Sequence, residues 1–169
     1  MTSKNDITLT RVREVLDYDP ETGILTRISC PNNPRLEGKP AGSLNAIGYV
    51  QLFIDGHNYL GHRVAFFWMT GAWPAQTLDH IDGDRANNQW ANLREASQQE
   101  NSRNYPRQKQ NSSGYKGVYF NKRDKAWLSY IRAGDGKKKF LGYFKDAEAA
   151  HKAYCEAADK YHGEFACYG

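Results

Sequence analysis

Leu78-Asp79-His80-Ile81-Asp82-Gly83-Asp84, followed by Asn92-Leu93 and then Asn101, decides how this 169-residue chain is read. An acid stands beside a histidine at what reads as a strand end. Two asparagines follow, twelve and twenty-one residues after that histidine. A hard cation takes oxygen ligands, here a carboxylate and an amide carbonyl. A neighbouring imidazole, which titrates near neutrality, can take a proton from water. Together these are the parts of a one-metal site for phosphodiester cleavage. Taken singly, each part has a plainer reading. Asp82-Gly83-Asp84 could be a turn or a weak Ca²⁺ loop, although the spaced acids of an EF-hand are missing. Asn87-Asn88 could be turn chemistry. His62, just before Arg63 at a helix start, reads as a capping or core histidine and stays outside the catalytic set.

Composition narrows the surroundings. Hydrophobic residues make up 40% and charged residues 25%, ordinary proportions for a globular protein. The longest apolar run, residues 64–69, is too short for a membrane span. The first six residues lack the apolar core of a signal peptide. Cys30, Cys155 and Cys167 form no Cys-x-x-Cys pair, which argues against a thiolate zinc site and a disulfide framework. A cytoplasmic location is expected. The net charge of +4 is unevenly placed: residues 1–105 hold 10 Lys/Arg and 12 Asp/Glu, whereas residues 106–145 hold 11 and 2. A basic block of that density among aromatics points to nucleic acid.

Around the Asp-His segment, local signals outline the elements. Leu9, Val12 and Leu16 predict a helix over residues 9–17 capped by Thr8. Residues 19–23 read as a turn and 24–28 as a short strand. Residues 29–43 read as a loop. Strands are predicted over 49–54 and 57–60 around an Asp55-Gly56 hairpin turn. A buried helix over 63–70 should end at Gly71. Polar residues 105–113 read as a linker. Beyond them, strands over 115–120, 125–132 and 137–144 precede a helix from an Asp146 cap to about His162, ended by Gly163. Alternation puts Trp127, Ser129 and Ile131 on one face of the middle strand, toward the helix. Leu128, Tyr130 and Arg132 lie on the other face, which can meet DNA.

Asp79-His80-Ile81-Asp82-Gly83-Asp84, Asn87-Asn88, Asn92-Leu93-Arg94 and Glu100-Asn101 resemble the HNH nucleases, in the homing-endonuclease-like branch found in phages. The resemblance covers roughly residues 48–104. It implies a two-stranded hairpin with a long loop, packed on one helix around a metal. It implies His80 as general base, Asn92 as the brace of the loop, and Asp79 and Asn101 as ligands of one divalent cation. Mg²⁺ is the first candidate and Mn²⁺ the second. Products with a 5′-phosphate and a 3′-hydroxyl are also implied. Asn101 stands where the family often has His, which favours an oxygen-ligand site over a nitrogen-rich zinc site.

The C-terminal part is similar to the ethylene-response-factor (APETALA-type) DNA-binding domain in the version attached to phage HNH nucleases. The likeness rests on Gly114-Tyr115-Lys116-Gly117-Val118, Trp127, Ile131-Arg132, Phe140-Leu141-Gly142-Tyr143-Phe144, Ala147-Glu148-Ala149-Ala150 and Tyr154. It implies that Lys116, Tyr119, Asn121, Arg132, Lys138 and Phe140 face bases or phosphates. Lys116, Tyr119 and Asn121 stand where the family has arginines, so its target sequence does not transfer.

The expectation is an α+β protein: a ββα-metal (HNH) nuclease module over 48–104, a linker over 105–113, and a three-stranded antiparallel sheet packed on one helix over 114–169. Residues 1–47 form an N-terminal helix and strand region that either adds DNA contacts or stabilises the nuclease. The function expected is site-directed, metal-dependent cleavage of double-stranded DNA. Two other readings remain open: a DNA-binding regulator whose nuclease fold is inactive, and a binder of structured RNA. The RNA reading is the weaker, because A-form RNA lacks a wide major groove.

Overall fold

The computed structural model describes residues 7–31, 33–104, 111–134 and 136–169. Most of the expected linker, residues 105–110, lies outside them, as do the first six residues. The fold is α+β, with antiparallel sheets throughout. The chain divides into two compact units, Met1–Ala96 and Ser97–Gly169.

In the first unit, Thr8 caps α1 (Leu9–Val15) by accepting a hydrogen bond from the Arg11 amide at 3.1 Å. The helix stops two residues before the expected end. Leu16 instead opens β1 (Leu16–Tyr18), where the two apolar residues turn inward and Asp17 outward, a period of two that a helix cannot satisfy. Strand β1 pairs with β2 (Leu25–Arg27) across the predicted turn. Next come β3 (Ser43–Leu44), β4 (Val50–Ile54) and β5 (His57–Leu60), hydrogen-bonded in that order. Asp55 and Gly56 both take positive φ, 46° and 84°, as a two-residue hairpin turn requires.

Helix α2 (Gly61–Thr70) starts two residues earlier than expected, which draws His62 into its buried first turn. Val12, Leu16, Leu52, Val64 and Phe67 gather in one core, and Trp73 stacks on Phe67 with ring centroids 4.4 Å apart. The unit closes with β6 (Thr77–His80) and β7 (Leu93–Ala96), an antiparallel ribbon that pairs Asp79 with Arg94 and His80 with Leu93. Residues 81–92 form the long loop between them.

The second unit opens with α3 (Gln98–Arg103), held by a reciprocal capping box between Ser97 and Glu100. Strands β8 (Val118–Asn121), β9 (Ala126–Arg132) and β10 (Lys138–Phe144) form a sheet with β9 in the middle. Residues 115–117 make a turn rather than a strand start, with the Val118 amide bonded to the Tyr115 carbonyl. Asp146 caps α4 (Ala147–His162), whose Tyr154, Ala157 and Ala158 pack on Ile131. Ser129 is fully buried on the same face of β9 as Ile131.

Leu128 is buried although it belongs to the opposite face. Its cross-strand neighbours are Tyr119 and Tyr143, two side chains large enough to cover it. A register shift between Phe140 and Gly142 absorbs Leu141, so Tyr143 sits opposite Leu128. Simple alternation from Phe140 would have sent Tyr143 to the other face.

Candidate active site

Asp79 and His80 are the last two residues of β6, and each is only 4% exposed. Adjacent strand residues point to opposite faces. A buried acid next to a buried histidine therefore needs polar partners on both sides of the ribbon.

On one side, Arg94 of β7 donates from Nε at 3.0 Å and from Nη2 at 2.7 Å to Asp79 Oδ2. The two side chains are 14% and 5% exposed, so the pair is largely desolvated. The register that places Asp79 opposite Arg94 sets this contact.

On the other side, His80 Nε2 lies 3.3 Å from Asn88 Oδ1. The rings of His62 and Tyr49 lie beside it, with centroids 5.1 and 5.8 Å from that of His80. Burial pushes the His80 pKa below its usual value. The Asn88 contact and the charges of Asp82, Asp79 and Asp84 oppose that shift without cancelling it. His80 is thus mainly neutral at pH 7, the state a general base needs. His62 falls further, to about 3, through burial first and then the charges of His80 and Arg63. Its Nδ1 is buried without a hydrogen-bond partner.

The loop after His80 is tied by its own polar side chains. Asn92 Oδ1 accepts from the Asp82 amide at 3.0 Å, and Asn92 Nδ2 donates to Asp82 Oδ1 and to the Asn87 carbonyl, both at 2.9 Å. Asn87 Nδ2 donates to Asp82 Oδ2 at 2.7 Å. The Gly83 amide returns to the His80 carbonyl at 2.9 Å. Burial raises the Asp82 pKa, but the hydrogen bonds from Asn87, Asn92 and the Asp84 amide outweigh it and hold the carboxyl below the usual range. Two asparagines and one carboxylate thus tie the twelve-residue loop directly behind His80.

Asn101 lies on α3, in the C-terminal unit, with its amide bonded to the Ser97 carbonyl at 2.9 Å. Asp79, the other expected metal ligand, lies on β6 in the first unit. Carboxylate and amide oxygens are hard donors of the kind Mg²⁺ takes. Among the described residues, no group of three or more His, Cys, Asp and Glu is arranged to hold a metal.

The expected DNA-contacting residues lie in the C-terminal unit. Tyr119, Arg132, Lys138 and Phe140 are exposed. The Lys138 ammonium sits 4.0 Å from the Tyr130 ring centroid and 5.3 Å from that of Tyr119. Phe140 packs against Tyr130 and Tyr143 at 5.2 and 5.1 Å. These side chains make a continuous aromatic and basic surface on the sheet. Asn121 is occupied at the β8–β9 turn, where Oδ1 accepts from the Arg123 amide and Nδ2 donates to Asp124. The Lys116 ammonium donates to the Arg103 carbonyl at 2.9 Å and is half-buried.

Three contributors to the site had no assigned role in the sequence. Asn88 belongs to the motif yet reads as turn chemistry, Arg94 carries no role of its own there, and His62 reads as a capping or core histidine. Only the eight-residue spacing from His80 could have singled out Asn88. For His62 no local signal separates a buried helix-start histidine from one packed on a functional ring.

Residues 59–103 match the family model described as HNH endonuclease, a span from β5 to the end of α3. Over 61 residues the chain is 41% identical to Protein 3.8 of Escherichia phage T7, covering 36% of this chain and 50% of that protein. The chain thus spans about half the length of this curated relative. A solved structure described as DNA binding and cleavage by the HNH homing endonuclease I-HmuI is similar over 85% of this chain and 76% of that one. The identity is 21% and the TM-score 0.40. No helix among the described residues is long and apolar enough to cross a membrane.

Proposed function

We propose that this protein is a metal-dependent, site-directed DNA endonuclease that hydrolyses phosphodiester bonds in duplex DNA. The observation that carries the reading is the buried Asp79-His80 pair at the end of β6, backed by a loop tied through Asn92, within the segment that matches the HNH model. His80, kept neutral by burial, takes a proton from the attacking water as its oxygen bonds to phosphorus. The P–O3′ bond breaks and the leaving oxygen takes a proton from solvent water, giving a 5′-phosphate and a 3′-hydroxyl. Asp79 and Asn101 would hold one divalent cation, Mg²⁺ or Mn²⁺, which would supply charge stabilisation at the scissile phosphate and the leaving oxygen. Arg94 keeps the Asp79 carboxylate oriented and compensates its buried charge.

In the same reading, the C-terminal unit is an APETALA-type module whose aromatic and basic sheet surface lies on duplex DNA. Tyr119, Arg132, Lys138 and Phe140 form the centre of the contact, and Lys116 and Asn121 its edge. The basic block of residues 106–145 supplies attraction to phosphates regardless of sequence. The place of action is the bacterial cytoplasm, where phage and host DNA are found.

The test is cleavage of plasmid and phage DNA by the wild type and by His80→Ala, in Mg²⁺ and in EDTA. Metal-dependent nicks or breaks that vanish in the variant, with DNA binding retained, are expected. Binding without cleavage by the wild type across a broad DNA library, in Mn²⁺ as well, would overturn the reading in favour of an inactive DNA-binding regulator.

A further inference from the structure

We propose that Asn88 is the positioning residue of His80. Its side-chain oxygen holds the imidazole in the Nε2–H tautomer and leaves the lone pair on Nδ1, and the β1–β2 hairpin exists in part to hold Asn88 there. The inference rests on His80 being the general base.

The two nitrogens of a neutral imidazole are not equivalent. Whichever is hydrogen-bonded to an acceptor keeps the proton, and the other becomes the base. Asn88 is 2% exposed, and its Oδ1 lies against His80 Nε2 at 3.3 Å. An amide oxygen only accepts, so with this orientation Nε2 donates.

The backbone around Asn88 is gripped from far away in the chain. Tyr18 of β1 donates its hydroxyl to the Asn88 carbonyl at 2.7 Å, a buried bond across 70 residues. The Trp90 amide donates to the Pro20 carbonyl at 3.0 Å. Gly23, at φ +74°, passes so close that an added Cβ would stand 2.5 Å from the Asn88 carbonyl carbon and 2.4 Å from the Gln89 nitrogen. The side-chain amide is confined too. An added Cβ on Gly61, at the start of α2, would fall 2.9 Å from Asn88 Nδ2. Four contacts from two distant segments thus locate one asparagine whose side chain ends on the base.

This arrangement assigns a task to residues 16–27, which carry none of the motif residues. They make the loop of residues 81–92 rigid at the position where rigidity selects a tautomer. The contacts lie entirely within the first unit.

The experiment uses the full ¹⁵N-labelled chain. Long-range ¹H–¹⁵N spectra at pH 8, without added metal, report the tautomer of each of the five histidines, and His80→Asn identifies the His80 signals. Cleavage kinetics in Mg²⁺ are measured alongside. The expected wild-type signal is Nε2–H. Asn88→Leu should lose that preference and lower kcat about ten- to a hundred-fold with KM unchanged, the usual cost of removing the partner that orients a functional histidine. Asn88→Asp keeps an acceptor oxygen and should retain Nε2–H with most of kcat.

An Nδ1–H signal in the wild type overturns the proposal, as does a folded Asn88→Leu with tautomer and kcat unchanged. Should Asn88→Leu fail to fold, an Nδ1–H signal in Asn88→Asp has the same meaning. Absence of cleavage by the wild type would remove the role of His80 as base, whereas the spectra would still decide whether Asn88 sets its tautomer.

Discussion

His62 and His80 meet edge to face, with ring centroids 5.1 Å apart and planes at 81°. Tyr49 touches both, 5.1 Å from His62 and 5.8 Å from His80. Two buried imidazoles in contact cannot both be charged without a large cost, so the site favours a neutral pair. The pH dependence of stability follows from that preference.

The unfolded chain protonates His62 near 6.5, whereas the folded chain resists until about 3. The unfolded state therefore binds the extra proton between those values, and stability falls as pH falls through that window. His80, also lowered, acts in the same direction. The slope contributed by His62 is at most about 1.4 kcal/mol per pH unit. Urea midpoints from pH 7 to pH 5 should decline in the wild type and decline less in His62→Phe. Parallel curves would show that His62 does not remain neutral in the fold.

Arg94→Leu should destabilise the protein by about 3 kcal/mol, since removing one partner of a buried pair strands the other charge. The 2.7 Å contact to Asp79 Oδ2 and the low exposure of both side chains place this pair in the buried class. Urea unfolding measures the effect. A loss under about 1 kcal/mol, typical of exposed pairs, would mean that water reaches the Asp79 carboxylate.

Tyr18→Phe removes the hydroxyl that meets the Asn88 carbonyl, and a loss of about 1 kcal/mol is expected. Gly23→Ala meets both a positive φ and the Asn88-Gln89 backbone. Strain and overpacking together should cost about 2–4 kcal/mol. Thermal melts of the two variants side by side check the ranking. A Gly23→Ala protein as stable as the wild type would mean that the two segments do not approach so closely.

Lys138→Ala should weaken binding to duplex DNA of any sequence and reduce the slope of log affinity against log salt by about 1. Lys116→Ala should change that slope less, because its ammonium already donates to the Arg103 carbonyl and is half-buried. Fluorescence titrations across a salt series distinguish them. An equal effect from the two lysines would contradict the placement of Lys116.

Helix caps, turns and alternation operate over a few residues, so they are legible in the sequence. Thr8 and Asp146 cap their helices, Asp55-Gly56 turns the β4–β5 hairpin, and α2 stops at Gly71. Local signals mislead where two of them compete. Leu16 satisfied the helical spacing of α1 and also the alternation of β1, and only pairing with β2 settled it. The bulge in β10 was hidden for a related reason: Leu141 can be an extra residue only if a partner strand keeps its register.

The sequence by itself determined which chemical groups are present and how they are spaced along the chain. Asp79 beside His80, Asn92 twelve residues on, and a basic, aromatic C-terminal sheet all follow from it. What only the tertiary structure decided is the set of neighbours around those groups. Asn88 lies on His80, Tyr18 and Gly23 lie on Asn88, and His62 faces His80. Such neighbours come from the packing of a whole core, in which residues 70 positions apart touch. No local pattern records which distant side chain fills a given space, because dispersion and burial reward any partner of suitable shape.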